Sequence, residues 1–287
     1  MAARLSSLLG YLVLVCAGPA FSQTLPEPTT AEINAVIVKA ANRQRLLDFV
    51  KNTTALSPDG RVARREARLC PLVAGATVEV NTYVASRIRQ VGATVGVNVE
   101  QRACRPNLLV LFSREPEAML EAARRRGKVS LRQVSAIRAD RFKSSAQPVR
   151  WLHNVVEVGA AGALAGTDDL NGPPEVRERG SRLSSALQSS IRNSIIVIDA
   201  KATDGVEVGA LADYATFMAL TDVQSAARAP NNTSILNLFS GEKPGTGQRL
   251  TPLDMAYLRG IYQVRTDISG LNQMGAVATI MADELER

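Results

Sequence analysis

The sequence predicts an α+β fold in which a central mixed sheet is packed by several helices. Ile195–Ile198 is a continuous run of β-branched apolar residues that ends at Asp199, as in a strand buried on both faces. After turn residues at Asp204 and Gly205, apolar residues recur at intervals of three and four between Val208 and Ala219, which predicts a helix. A core strand that leads into a core helix is therefore the centre of the predicted fold.

The N-terminal third is predicted to be mainly helical. Thr29–Glu32 has the spacing of a capping box, and an apolar stripe continues to about Val50, so the first element is a helix. Arg61–Leu69 alternates weakly, and its pattern fits either a strand or a loop. Val78–Val95 places its apolar residues on one face with a helical period, so we expect an amphipathic helix there despite its many valines.

The middle of the chain mixes short strands and helices. Leu108–Phe112 is a five-residue apolar strand, and Pro116 suits the first turn of a helix over Glu117–Arg126. Lys128–Lys143 is predicted to be partly helical. Gln147–Val158 alternates as in a half-buried strand.

Three features are predicted for the rest of the chain. Residues 159–180 are rich in Gly, Pro and acidic residues, so we expect a flexible loop or hairpin excursion. Thr251–Asp254 places Pro at the first position and a carboxylate in the first turn of a helix. The last helix is expected over Leu271–Glu286.

The first 22 residues have the three parts of a secretory signal peptide: Arg4, an apolar stretch from Leu8 to Ala17, and Ala20-Phe21-Ser22 before Gln23. A lipoprotein anchor at Cys16 is the alternative, although Val15 stands where a small residue is needed. We expect a periplasmic or secreted protein with one domain over residues 23–287 and no transmembrane helix after cleavage.

The charge of the chain argues against a nucleic-acid partner. Lys and Arg number 34 against 27 Asp and Glu, a formal net charge of +7, and removal of the leader with Arg4 lowers it by one. Acidic residues are interspersed through most basic stretches, which is typical of a solvated surface. The basic segment Arg124–Lys143 has a second interpretation, attachment to phosphate or lipid headgroups.

Two cysteines remain after the leader, Cys70 and Cys104. An even pair in an exported protein favours a structural disulfide. A redox or metal pair is the alternative, but neither cysteine has a second Cys or a His nearby in the sequence.

The residue types present exclude several familiar kinds of active site. His153 is the only histidine and lies two residues after the only tryptophan, Trp151. With one histidine, a two-histidine zinc motif is impossible, and a Ser/His/Asp triad would have to use His153. Neither a Gly-x-Ser-x-Gly elbow nor a phosphate-binding glycine motif is present. We predict no metal and no cofactor, and we interpret His153 as a strand residue with a satisfied ring.

Carboxylates leave a hydrolase open as an alternative. Asp199 ends the central strand, Asp204 and Glu207 precede the helix, and Asp213 lies within it, so an envelope hydrolase could use Asp199, Asp204 and Asp213. The simpler interpretation is that such acids cap helices and oppose the helix dipole.

Four segments follow one another in the chain: the apolar strand, the Leu-Ala-Asp-Tyr helix, Ser-Ile-Leu-Asn-Leu-Phe, and Leu-Thr-Pro-Leu-Asp-Met-Ala-Tyr-Leu-Arg-Gly-Ile-Tyr. In this order of segments the chain resembles uncharacterised exported proteins of Gram-negative bacteria. These are similar to secreted zincin-like domains of unknown function. The resemblance covers roughly residues 70–287 and implies a metalloprotease-like core of sheet and helices.

The chain departs from that resemblance at the motif that carries the chemistry. Ala212-Asp213-Tyr214-Ala215-Thr216 stands where such a peptidase has His-Glu-x-x-His, so zinc-dependent peptide hydrolysis is not expected. The sequence thus favours a non-catalytic binding or scaffold protein of the envelope. Its partner would be an unidentified envelope protein or small ligand, bound in a cleft near Asp213, Tyr214, Asn237 and Phe239.

Overall fold

Four strands form an open mixed sheet in the computed structural model of this protein. They are β1 (Pro71–Ala74), β2 (Leu108–Ser113), β3 (Val149–Gly159) and β4 (Leu187–Asp199), in the spatial order β1-β2-β4-β3. Strands β1, β2 and β4 are parallel, and β3 pairs antiparallel with β4 at one edge. The predicted α+β fold with a central mixed sheet is confirmed.

The structure describes residues 30–101, 103–125, 136–159, 184–225, 227–229, 233–241 and 248–287. The chain divides into a unit that ends at Val38 and a compact unit, Lys39–Arg287. The predicted signal peptide lies outside the described residues. So does the predicted excursion 159–180, except for Gly159, which is the last residue of β3.

Helices precede, connect and follow the strands. They are α1 (Thr30–Thr53), α2 (Val78–Thr94), α3 (Pro116–Arg125), α4 (Ala136–Ser144), α5 (Val208–Leu220), α6 (Pro252–Gln263) and α7 (Gly270–Leu285). A 3-10 turn covers Ile235–Asn237. The predicted helices are confirmed to within a few residues, because their apolar periods and their caps are local properties of the sequence.

Strand β4 is buried on both faces where its sequence is continuously apolar. Ile196 and Ile198 belong to the main core, which also contains residues of α2, α5, α6 and α7. Val197 faces a smaller cluster with Phe142 of α4 and Leu152 of β3. Because side chains alternate along a strand, one apolar run supplies both clusters.

Helix α5 occupies the centre of the main core, with every residue from Gly209 to Leu220 buried. It packs against α2 and contacts α6 and the 3-10 turn. Phe217 of α5 stacks on Tyr257 of α6, which also meets Phe49 of α1 edge to face. The expectation of a core helix after a core strand is confirmed.

Three observations differ from or extend the sequence expectations. Strand β1 was not predicted, and β4 begins at Leu187, well before its apolar run. Residues 61–69 form no strand of the sheet and instead make isolated β-bridges, such as Arg64 with Ser190. In each case, pairing with a distant segment decides the conformation.

The N-terminus of α6 shows how a local motif also joins two segments. Asp254 accepts hydrogen bonds from the Thr251 backbone N at 2.9 Å, and Thr251 Oγ1 accepts one from Asp254 N at 3.2 Å, which completes a capping box. Asp254 also accepts from Ser234 Oγ at 2.5 Å and from Ile235 N at 2.9 Å. The buried carboxylate thus holds the Ser234 segment against α6.

Cys70 and Cys104 are joined in a disulfide, with their Cα atoms 6.2 Å apart. The bond connects the residue before β1 to the segment that enters β2, so the predicted pairing is confirmed. In the part of the chain that the structure describes, no helix combines the length and the apolar character needed to cross a membrane.

Candidate ligand-binding cavity

A cavity of about 610 Å³ lies at the outer edge of β3. Consecutive residues of this strand, Arg150–His153, all line it. Because β3 is an edge strand of the sheet, the space borders that edge. We call this space the edge cavity; its volume falls within the usual range for small-molecule sites.

The wall of the edge cavity combines apolar and cationic side chains. Its larger apolar residues are Leu56, Phe142, Trp151, Leu152, Val223 and Met274. Its cationic residues are Lys51, Arg138, Arg141 and Arg150, and Asp222 is the one carboxylate among the lining residues. The arrangement suits a ligand that is partly apolar and carries negative charge.

Asp222 and Arg138 form an ion pair in this wall. Arg138 Nη1 donates to Asp222 Oδ2 at 2.6 Å, and Asp222 is only 4% exposed. Burial raises the pKa of Asp222, and the charge and hydrogen bond of Arg138 act in the opposite direction. Arg138 therefore compensates the one buried acid of the wall and joins α4 to the segment that follows α5.

Arg150 is a buried cation in the same wall, with 6% of its side chain exposed. Its guanidinium donates to the Glu117 carboxylate of α3 and, at 3.4 Å, to the Lys143 backbone oxygen. Its Nε is buried and makes no hydrogen bond. The hydrogen bond from Arg150 lowers the pKa of Glu117, so this acid stays ionised near neutral pH.

His153 is held by the hydroxyl of its cross-strand partner Ser194. Ser194 Oγ accepts a hydrogen bond from the Arg65 guanidinium and lies 2.5 Å from His153 Nδ1. The Ser194 hydroxyl can accept from Arg65 and still either donate to Nδ1 or accept from it, so the direction of the second bond follows the ring tautomer. Burial, with the charges of Arg65 and Arg138, lowers the pKa of His153 to about 3, although two backbone carbonyls of the α5 end oppose this shift.

The Ser194–His153 pair is therefore structural. Both side chains are buried, at 3% and 2% exposure, and the imidazole is neutral at physiological pH. A catalytic triad needs a carboxylate on the second ring nitrogen of the histidine, but His153 Nε2 has no such partner, and Ser194 is bonded to the cation Arg65. His153 lies in a strand, as predicted, but the prediction of a satisfied ring holds only at Nδ1, because Nε2 is buried and makes no hydrogen bond.

The four residues of the predicted cleft lie close together but mostly inside the protein. The Tyr214 and Phe239 rings meet edge to face with centroids 5.0 Å apart. Asn237 donates to the Ala229 backbone oxygen at 2.7 Å and accepts from the Ala229 N at 3.1 Å. Tyr214 and Asn237 are 5% and 7% exposed, and none of the four lines the edge cavity. Ligand binding at this cluster stays a prediction.

Asp213 is fully buried and joins three elements. Its carboxylate accepts from Arg87 Nε of α2 at 2.5 Å, from Arg249 Nε at 2.8 Å and from the Leu250 N at 3.0 Å. Burial would raise the pKa of Asp213, but these hydrogen bonds and the charge of Arg87 outweigh it and lower the pKa below 3.8. The carboxylate is held ionised by its partners, which suits a structural ion pair.

The other acids of the alternative hydrolase are apart from Asp213. Asp199 accepts from the backbone N–H groups of Lys201 and Ala202, so it caps the turn after β4. Asp204 is exposed in that turn. Within the described residues, no three His, Cys, Asp or Glu side chains are grouped in a way that could hold a metal ion.

We expect Asp213→Asn to destabilise the protein by about 2 to 4 kcal/mol at neutral pH, because the two arginines lose their shared negative charge and one of the two acceptor oxygens becomes a donor. The lower part of that range is favoured, since Arg87 and Arg249 are 24% and 41% exposed and water can reach them. Urea denaturation measures the change. Asp204→Asn removes the same charge from an exposed turn and should alter stability by less than about 0.5 kcal/mol.

The difference in stability between the wild type and Asp213→Asn should depend on pH in a defined direction. Because the folded-state pKa of Asp213 is lowered, its stabilisation is complete above the unfolded value of 3.8 and is lost as the pH falls through the folded pKa. The wild-type advantage over Asp213→Asn should therefore shrink in acid. An advantage that is constant from neutral pH to acid would contradict the ionised, paired carboxylate.

Sequence reasoning placed no ligand site in the edge cavity, although part of the signal was visible. The only tryptophan and the only histidine lie two residues apart in Pro148–His153, and both line the cavity. The basic segment Arg124–Lys143 also contributes, through Arg138 and Arg141; its residues 126–135 lie outside the described residues. The distant partners Asp222 and Glu117 could not be assigned from local patterns.

The fold and the cavity define an α+β protein with a partly apolar, basic cavity at the antiparallel edge of its sheet. Scans of the chain against protein-family models, curated proteins and solved structures found no match.

Proposed function

We propose that this chain is an exported, non-catalytic binding protein of the bacterial envelope and that the edge cavity holds a small ligand. The observation that carries the proposal is the cavity itself, whose volume of about 610 Å³ and mixed apolar and cationic wall are typical of ligand sites. The predicted signal peptide supports export. The disulfide supports it as well, because such bonds persist in oxidising compartments.

We further propose that the protein is built on a degenerate zincin-like core. The chain order supports this relationship: the central strand β4 leads into the buried helix α5, and the Ser234 segment and α6 follow. In α5, Asp213 is held by two arginines at the place where the resemblance would put a catalytic motif. A binding role agrees with this loss of the His-Glu-x-x-His residues.

The proposal predicts saturable binding of a neutral apolar probe, N-phenylnaphthylamine, that can be followed through Trp151. Because Trp151 is the only tryptophan and lines the edge cavity, its selectively excited emission should be quenched by energy transfer to the bound probe. We expect one site per chain. The full chain should be expressed and purified from the periplasm, so recovery from that compartment tests export in the same preparation.

Two variants separate the edge cavity from the predicted cleft. Ala55 lines the cavity, so Ala55→Phe should fill part of it and weaken probe binding about tenfold or more. Tyr214→Phe changes the cleft and should bind the probe as the wild type does. Loss of binding in Tyr214→Phe alone would move the site to the cleft, and the absence of saturable quenching in the wild type would refute the proposal. Circular dichroism confirms that each variant is folded.

A further inference from the structure

We infer that the edge cavity takes a small organic anion, in which one carboxylate or phosphate group is attached to a flat apolar body. This inference rests on the proposed function and adds the chemical class of the ligand. It rests on the charge of the wall, on the buried guanidinium of Arg150 and on the apolar residues beside it.

The charge of the wall is not balanced from within. Four cationic side chains line the cavity against one carboxylate, and that carboxylate, Asp222, is paired with Arg138. Lys51 and Arg141 are exposed, and among the described residues neither forms an ion pair. The field in this concave space therefore attracts an anion, and its strength falls as salt is added.

Arg150 offers a buried group for that anion. Its Nε is buried without a hydrogen-bond partner, which costs free energy for a charged group. Its hydrogen bond to Glu117 shows that this guanidinium can donate to a carboxylate, and 65% of the Glu117 side chain is exposed. Because Arg150 lines the cavity, an acidic group there can pair with its guanidinium in the place of Glu117, whose negative charge opposes the approach.

The apolar residues beside Arg150 define the rest of the ligand. Leu152 and Phe142 are nearly buried, Trp151 is partly buried, and Met274 lies in the same wall. Aromatic and thioether side chains pack well against a flat apolar group. A concave space of this size with so much apolar lining fits one small amphipathic anion. A polyanion would need an extended groove instead.

The test compares naphthylacetic acid with naphthylacetamide, which has nearly the same shape without the charge, by isothermal titration calorimetry at neutral pH. We expect the acid to bind about tenfold or more tightly than the amide, since a hydrogen bond to a charged group has a large effect on affinity. Naphthyl phosphate distinguishes a preference for phosphate from one for carboxylate. Added salt should weaken binding of the two anions and leave the amide unchanged.

Three variants and one control, Arg105→Gln, locate the anion. Arg150→Gln should remove most of the preference for the acid over the amide. Arg141→Gln, at an exposed position where folding is not at risk, should reduce the preference a few-fold, whereas Arg105→Gln removes an exposed arginine that does not line the cavity and should leave it unchanged. Glu117→Gln should increase affinity for the acid a few-fold, because it removes a competing negative charge.

The outcomes separate this inference from the proposed function. Equal affinity for acid and amide, with both lost in Ala55→Phe, would overturn the anionic class and leave the cavity as a binding site. Binding of neither compound, together with no response to N-phenylnaphthylamine, would overturn both. Weaker acid binding in Glu117→Gln would show that Glu117 supports the site, contrary to the competition inferred here.

Discussion

Gly75→Ala is expected to destabilise the protein by about 3 to 5 kcal/mol, the sum of a backbone cost and a steric cost. Gly75 follows β1 with a φ of +95°, which side-chain-bearing residues rarely adopt. A Cβ at this position would lie 2.1 Å from the Phe112 backbone oxygen of β2. Because backbone atoms of a paired strand cannot move away cheaply, the turn and the β1–β2 pairing must both distort.

Gly96 provides a matched control for this prediction. Its φ of +93° is almost the same as that of Gly75, but an added Cβ would meet nothing within 4 Å. Gly96→Ala should therefore cost only the backbone conformation, about 1 to 2 kcal/mol. Chemical denaturation of the two variants isolates the steric contribution. Equal destabilisation would contradict the close approach of Gly75 to β2.

Reduction of the Cys70–Cys104 disulfide is expected to lower the free energy of unfolding by about 4 kcal/mol, the value for a loop of this size. The cysteines are 34 residues apart, and the enclosed segment contains β1 and α2. Opening the loop increases the entropy of the unfolded chain. The cavity residues lie outside this loop, so the folded, reduced protein should still bind the apolar probe.

The measurement is the shift of the denaturation midpoint when a thiol reductant is added to the mature protein. A Cys70→Ala, Cys104→Ala double variant serves as the control. It should have the stability of the reduced wild type and should not respond to reductant. If reduction lowers the wild-type free energy of unfolding by less than about 1 kcal/mol, the disulfide contributes little to the difference between the folded and unfolded states.

The candidate site could be predicted only in part, and Asp213 shows the reason. Its position within a core helix was clear from the apolar period of α5. Its partner Arg87 is 126 positions away in the sequence, and no local pattern relates the two. Without that partner, the sequence could favour a structural role for this acid but could not distinguish an ion pair from a helix cap or a catalytic group.

The edge cavity illustrates the same limit from the opposite direction. The unique Trp151 and His153 marked the segment, and its alternation predicted a half-buried strand. The edge position of β3 depends on its antiparallel pairing with β4, and the wall is completed by the end of α1, by α4 and by the segment after α5. These contacts join residues from Lys51 to Met274, so no window of the sequence contains the site.

The sequence by itself determined the helices, the apolar strands, the cap of α6 and the cysteine pair, because periodicity, capping and cysteine count are expressed over short stretches or by composition. Tertiary structure alone decided that Pro71–Ala74 is a strand, that polar Leu187–Ser194 extends β4, and that Arg150 and Asp213 are buried with opposite charges beside them. Each of these depends on pairing or desolvation by residues far away in the chain. The physical reason is that burial and strand partners are properties of the assembled fold, whereas side-chain period is a property of the segment.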